Sequence, residues 1–176
     1  MLRPLLAALL FAGAATPLAA AQPPGYVTRT QGNPQIDYPG FRRLANEVEP
    51  YRQTRLIDWA QFDRLRGQRD VLILDARSES AFRQGHIAGA VNLPLPDFNA
   101  DSLARVIGAN RDRPILIYCN NNFSNNRSPV PLKLTPLALN IQTFINLVGY
   151  GYRNVRELED VIDFNDPSVR WVRSDS

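Results

Sequence analysis

The sequence predicts an α/β fold built around a central parallel sheet, and two observations carry that expectation. From Arg55 onward, short apolar runs alternate with amphipathic segments, the pattern of βα units. Runs such as Val71 to Leu74 and Ile115 to Tyr118 are apolar throughout, as strands covered on both faces must be. Cys119, the single cysteine, stands where the second run gives way to the polar stretch Asn120 to Asn126. Parallel sheets bind their ligands just beyond the carboxyl ends of the strands, so this thiol sits where a nucleophile would be placed.

The elements follow in order. Residues 22 to 40 are rich in Pro, Gly, Gln and Asn without apolar periodicity and read as an extended arm. A short helix over Phe41 to Tyr51 would carry Phe41, Leu44 and Val48 on one side, with Pro50 ending it. Asp58 caps a helix containing Trp59, Phe62 and Leu65, with Gln61 at the capping-box position and Gly67 closing it. The Val71 to Leu74 strand comes next. Ser78 caps a short helix that ends before Gly85, and Ala90 to Leu93 is a strand stopped by Pro94. Asn99 or Asp101 caps a helix with Leu103, Val106 and Ile107 inward and Gly108 as its stop. After the Ile115 to Tyr118 strand and a long loop, Thr135 and Pro136 should open a helix carrying Leu137, Ile141, Phe144, Ile145 and Val148 on one side. Gly149 and Gly151 end that helix, Asn154 to Arg156 is a last short strand, and Trp171 anchors the tail.

Residues 1 to 21 read as a secretory signal: Arg3 supplies positive charge, Leu5 to Ala15 form a short apolar core, and Ala19-Ala20-Ala21 offers a cleavage site. The apolar stretch is interrupted by Gly13 and Pro17 and falls short of the roughly 20 residues that span a bilayer, so no membrane span is expected after cleavage. About 155 residues then remain, enough for one core. The organisation expected is a signal over 1–21, an arm and short helix over 22–54, the domain over 55–163 and a tail over 164–176. Export, to the periplasm or beyond, means an oxidising compartment in which a lone thiol has no internal partner. The formal charge of +3 is dispersed among 17 acids, which argues against nucleic acid as a partner. One histidine and one cysteine fall short of a zinc ligand set, so no metal and no cofactor is expected.

Two strings resemble the rhodanese-like domain, the sulfurtransferase fold with a cysteine on its active-site loop. The first is Leu74-Asp75-Ala76-Arg77, then Ala81-Phe82, Gly85-His86-Ile87-Ala88-Gly89-Ala90 and Asn92-Leu93-Pro94. The second is Ile115 to Cys119 with Gly151-Tyr152-Arg153-Asn154-Val155. The resemblance runs from about Arg55 to Val161 and implies a three-layer α/β/α architecture. It departs from the family at the loop: Asn122 stands where a glycine is usual, Ser124 is the fifth residue after the cysteine, and Arg127 comes three positions later than the family's arginine. The stretch to Thr135 is longer than the compact family loop, so Ser128 to Leu134 reads as an insertion that the fold could lose. Glu159-Asp160 replaces a common double glycine.

The resemblance implies sulfur transfer, with Cys119 taking sulfane sulfur from a donor such as thiosulfate as a persulfide and passing it to a thiol or cyanide. Backbone N–H groups from Asn120, Asn121, Asn122, Phe123 and Ser124 would cradle the anion, with Arg127 as the side-chain cation. Phe123 could instead pack in the core, and Arg127 could face solvent. Asp75 and Arg77 would pair and cap backbone groups at the sheet edge, or support the site by contact with a ligand. His86 is read as fixing the turn before the Ala90 strand rather than as the partner in a Cys-His hydrolase. Two other readings stay open: a noncatalytic module binding a protein partner in the cell envelope, and oxyanion chemistry of the phosphatase or arsenate type, which would need an arginine at close spacing. Cys119 taken alone could also be a buried small hydrophobe.

Overall fold

A computed structural model describes residues 33 to 174, so the signal and residues 22 to 32 of the arm lie outside the described residues. Residues from Asp37 onward form one compact unit. Its strands are β1 (Leu56–Ile57), β2 (Leu72–Asp75), β3 (His86–Ile87), β4 (Ala90–Asn92), β5 (Ile115–Tyr118), β6 (Val155–Leu158) and β7 (Trp171–Val172). Five of them form a wholly parallel sheet in the order β1-β6-β5-β2-β4, which places β5 at the centre.

Alternation along the strands explains why these runs are apolar throughout. Leu72, Leu74, Ile115 and Ile117 enter one core cluster with Val48, Leu103, Ile107 and Phe144. Their neighbours Ile73, Leu116 and Tyr118 enter the other, with Phe62, Ile87, Phe123 and Val130. Successive side chains point to opposite faces, so a strand covered on both sides is apolar except where a buried polar group is paired, as Asp75 at the end of β2 is with Arg77. Helices α1 (Tyr38–Gln53), α4 (Ala100–Ile107) and α5 (Leu139–Gly149) cover the first face and α2 (Trp59–Arg66) the second, giving three layers. Helix α3 (Glu79–Gln84) follows β2.

Local signals behave as read where a side chain caps the chain. Asp58 accepts from the Gln61 N–H at 2.7 Å, Ser78 from Ala81 at 3.3 Å, and Asn99 from Asp101 and Ser102 at 3.0 and 2.9 Å. Gly151 ends α5 at φ +91, a left-handed position that glycine occupies without strain.

Four expectations need correction. Pro50 does not end α1, which runs on to Gln53 because its last turn is held from outside: the Tyr51 hydroxyl donates to the Arg153 carbonyl and Arg52 grips Glu157. Thr135 and Pro136 do not open α5. They form a separate 3-10 turn, Leu137 is 55% exposed, and the extended backbone of Ala138 separates the turn from a helix that begins at Leu139. The segment 128–134 is not a dispensable insertion, since Val130 is fully buried and the Pro129 carbonyl receives Arg77. The tail adds a strand: β7 pairs antiparallel with β3 through His86↔Val172 and Ile87↔Trp171.

Candidate active site

Strand β5 delivers Cys119 to the carboxyl edge of the sheet, followed by a 3-10 turn over Asn120–Asn122. The turn is pinned by one side chain. Asn122 Oδ1 accepts from the Cys119 N–H and from Asn140 Nδ2, both at 2.9 Å, while its Nδ2 donates to the carbonyls of Leu158 and Asp160 at 2.8 and 3.1 Å. With every bonding position used, Asn122 staples the loop to β6 and α5.

The continuous amide cradle expected from Asn120 to Ser124 does not form. The N–H groups of Asn122, Phe123 and Ser124 are committed to the carbonyls of Cys119, Asn120 and Ile162 at 3.1, 3.2 and 2.9 Å. Phe123 is fully buried, edge-on to Tyr118 and 5.0 Å from Trp171, so its ring belongs to the core. Ser124 is exposed, and Arg127 lies over the Phe164 ring at 5.4 Å beside Asn165 and Arg173, in a different cleft from the one that Asn120 lines.

Donors reach the sulfur from another direction. Burial pushes the Cys119 thiol above its ordinary pKa, and the Glu157 carboxylate adds to that; backbone N–H groups of Asn140, Asn121 and Leu139 pull the other way. Leu139 and Asn140 are the first two residues of α5, whose N-cap Ala138 has no side chain to occupy them. Helix N-termini carry unsatisfied donors and a positive dipole end, and here both face the thiol. Burial wins the balance in this conformation: Cys119 is 1% exposed.

Two buried ion pairs frame the loop. Asp75 and Arg77 meet through Nε and Nη2 at 2.6 to 3.1 Å, and Asp75 also accepts from the Tyr118 hydroxyl at 2.6 Å. Arg77 continues to the carbonyls of Gly85 and Pro129 at 2.8 and 3.3 Å, between the rings of Tyr118 and Trp171. It ties together β2, the turn before β3 and the loop after Cys119. His86 stacks on Phe82 with centroids 3.7 Å apart, and its Nδ1 bonds the Phe82 carbonyl at 2.8 Å.

The second pair, Arg52 on α1 with Glu157 on β6, escaped the sequence reading because neither residue lies in a motif. Leu139 and Asn140 escaped it because their N–H groups are backbone; the missing cap at Ala138 was the available signal. Asn121 was placed in the loop, but its bracket around Lys133 was not foreseen: Nδ2 donates to the Lys133 carbonyl at 2.8 Å and Oδ1 accepts from its N–H at 3.2 Å.

A cleft of about 470 Å³ opens beside the loop, with Asn120 and Leu139 among its walls together with Arg77, Pro94, Leu95, Pro129, Pro131, Lys133 and Gln142. Asn120 follows the cysteine directly and Leu139 opens the helix whose N-terminus acts on the thiol, so this cleft adjoins Cys119, which is buried behind its wall.

Comparison with known proteins identifies a family. The family model for the Rhodanese-like domain matches residues 58–160. Thiosulfate sulfurtransferase GlpE of Shewanella oneidensis is 40% identical over 58 residues, covering 32% of this chain and 52% of its own length. An HTH-type transcriptional regulator of Mycobacterium tuberculosis is 36% identical over 64 residues, covering 36% of this chain and 26% of that protein. The chain thus spans about half, or less, of these curated relatives. Among solved structures, a thiosulfate sulfurtransferase from Pseudomonas aeruginosa aligns with a TM-score of 0.48 at 24% identity, covering 68% of this chain and 20% of that one.

Proposed function

The chain belongs to the rhodanese-like domain family, and from that premise we propose that it is a sulfurtransferase that carries sulfane sulfur on Cys119. The observation that supports this reading best is the convergence of three backbone N–H groups, from Asn121, Leu139 and Asn140, on a thiol at the end of the central strand. The thiolate attacks the outer sulfur of a donor such as thiosulfate. A bond forms between Sγ and that sulfur, the donor's sulfur–sulfur bond breaks with its electron pair leaving on sulfite, and an acceptor thiol or cyanide later removes the added sulfur. Amides and the helix dipole stabilise the negative charge carried by thiolate and persulfide in turn. The signal-like residues 1 to 21 support export, and the reaction would then take place in the cell envelope.

Incubation of the full chain with thiosulfate tests the reading by intact mass. One extra sulfur should appear, be discharged by cyanide, and be absent in Cys119→Ser. A thiol that alkylates in the native protein yet takes sulfur from no donor would instead identify a noncatalytic envelope-binding module, whereas one that resists alkylation until the protein is denatured would make Cys119 a core residue, the reading its 1% exposure favours.

A further inference from the structure

Sulfur transfer leaves Lys133 unexplained. It is the only lysine among 20 basic residues, and it stands within segment 128–134 at the wall of the cleft that adjoins Cys119 through Asn120. Resting on the persulfide reading, we propose that the donor is a carboxylate-bearing organic persulfide whose carboxylate is held by Lys133.

Placement is the first argument. Asn121, two residues after Cys119, holds the backbone of Lys133 on both its N–H and its carbonyl, so a residue of the cysteine loop sets the ammonium group's origin. Charge is the second. Among the described residues no carboxylate lines the cleft, and the other cation there, Arg77, is already paired with Asp75, which leaves Lys133 without a carboxylate partner in that lining. An ammonium group is a point charge on a flexible stem, suited to a carboxylate whose orientation is not fixed, whereas the chain's arginines serve as planar clamps on defined partners such as Asp75 and Glu157.

Size is the third argument. A volume of about 470 Å³ lies in the ~300–1,000 Å³ range of pockets that enclose organic ligands. Pro94, Leu95, Pro96, Pro129 and Pro131 give it apolar walls that a small sulfur oxyanion would not touch and a carbon skeleton would. Asn120 and Gln142 supply amides for polar groups along that skeleton.

The step balances without an external oxidant. Cys119 Sγ bonds to the terminal sulfur of R–S–SH, the donor's S–S bond breaks with its electron pair leaving on R–S, and the thiol proton passes to that leaving group. Protein thiol plus organic persulfide thus becomes protein persulfide plus organic thiol.

The test measures loading of the full chain by intact mass from glutathione persulfide, from neutral 2-hydroxyethyl persulfide and from thiosulfate. The wild type should load at the lowest concentration from glutathione persulfide. Lys133→Gln should raise the half-saturating concentration of that donor about tenfold with little change in the saturated rate, while Lys133→Arg retains most of the affinity. The neutral donor should respond to Lys133→Gln by less than twofold. Equal response of the two organic donors, or preference of the wild type for thiosulfate, overturns the proposal and leaves sulfur transfer standing. Failure of every donor to load Cys119 overturns both.

Discussion

Glu157 is a side-chain charge that acts on the Cys119 thiol from outside the loop. Its carboxylate is buried, faces Arg52, and pushes the thiol pKa up alongside the larger effect of burial. Glu157→Gln removes that push and leaves the Arg52 cation beside the site, so the pH midpoint of Cys119 alkylation should move down. The same change breaks an ion pair in which Arg52 keeps 22% of its side chain exposed, so the urea-unfolding free energy should fall by about 2–4 kcal/mol, somewhat below the loss for a wholly buried pair. An unchanged midpoint would show that Glu157 is too well neutralised by Arg52 to act on the sulfur. The thiol's own linkage has a definite sign. A pKa raised on folding means that the native state holds the proton more tightly, so this contribution to stability is complete below the unfolded thiol value of about 8.5 and is lost as pH rises through the higher folded value. Wild-type stability should therefore decline more steeply than that of Cys119→Ser above about pH 8.5. Tyr118, whose pKa burial and Asp75 also raise, contributes with the same sign to both proteins and cancels in the comparison.

At the scale of elements, the start of α5 is where local chemistry and function pull apart. Ala138 is a poor N-cap, and that weakness leaves the Leu139 and Asn140 N–H groups to the sulfur. Ala138→Asp should supply the missing cap, stabilise the helix by about 1 kcal/mol, and at the same time compete for the Asn140 N–H and add a negative charge, raising the thiol pKa and slowing persulfide formation at neutral pH. Greater thermal stability with unchanged loading kinetics would mean that the helix terminus does not act on Cys119. The same junction shows how far the sequence was legible. Asp58, Ser78 and Asn99 were readable as caps because each offers an oxygen within three residues of its helix. Thr135-Pro136 carries the same signal and yields only a 3-10 turn, since Ala138 adopts an extended backbone just beyond it. Strands β2 and β5 were legible because burial on both faces forces continuous apolar runs. The two-residue strands β1, β3 and β7 have no period to read, and β3 meets β7 only because the chain returns more than eighty residues later. Cys119 at a strand end was visible in the sequence; the donors that face it were not, because they are main-chain atoms brought from another element.

For the whole molecule, the matched domain is held from both sides by elements that lie outside residues 58–160. Helix α1 places Tyr51 against Phe144 and Arg52 on Glu157, and β7 brings Trp171 over the other face. Trp171 packs at 5.0 Å on Phe123, stacks at 5.1 Å on Phe164, and lies 5.6 Å from the guanidinium of Arg77, so it covers the residue that follows the Asn120–Asn122 turn and the arginine that anchors Pro129. Its close approach depends on Gly85, where an added Cβ would lie 2.2 Å from the indole nitrogen. Trp171→Ala should cost about 2–4 kcal/mol, less than a fully buried tryptophan because part of the ring meets solvent. By loosening Phe123 it should also speed Cys119 alkylation under native conditions. Gly85→Ala displaces the same indole without removing it and should produce the same acceleration. Because the two variants act on opposite sides of one contact, a shared rise in alkylation at a fixed pH would locate the closure of the cysteine loop in the tail. Destabilisation with alkylation unchanged would return that closure to the Asn122 staple alone.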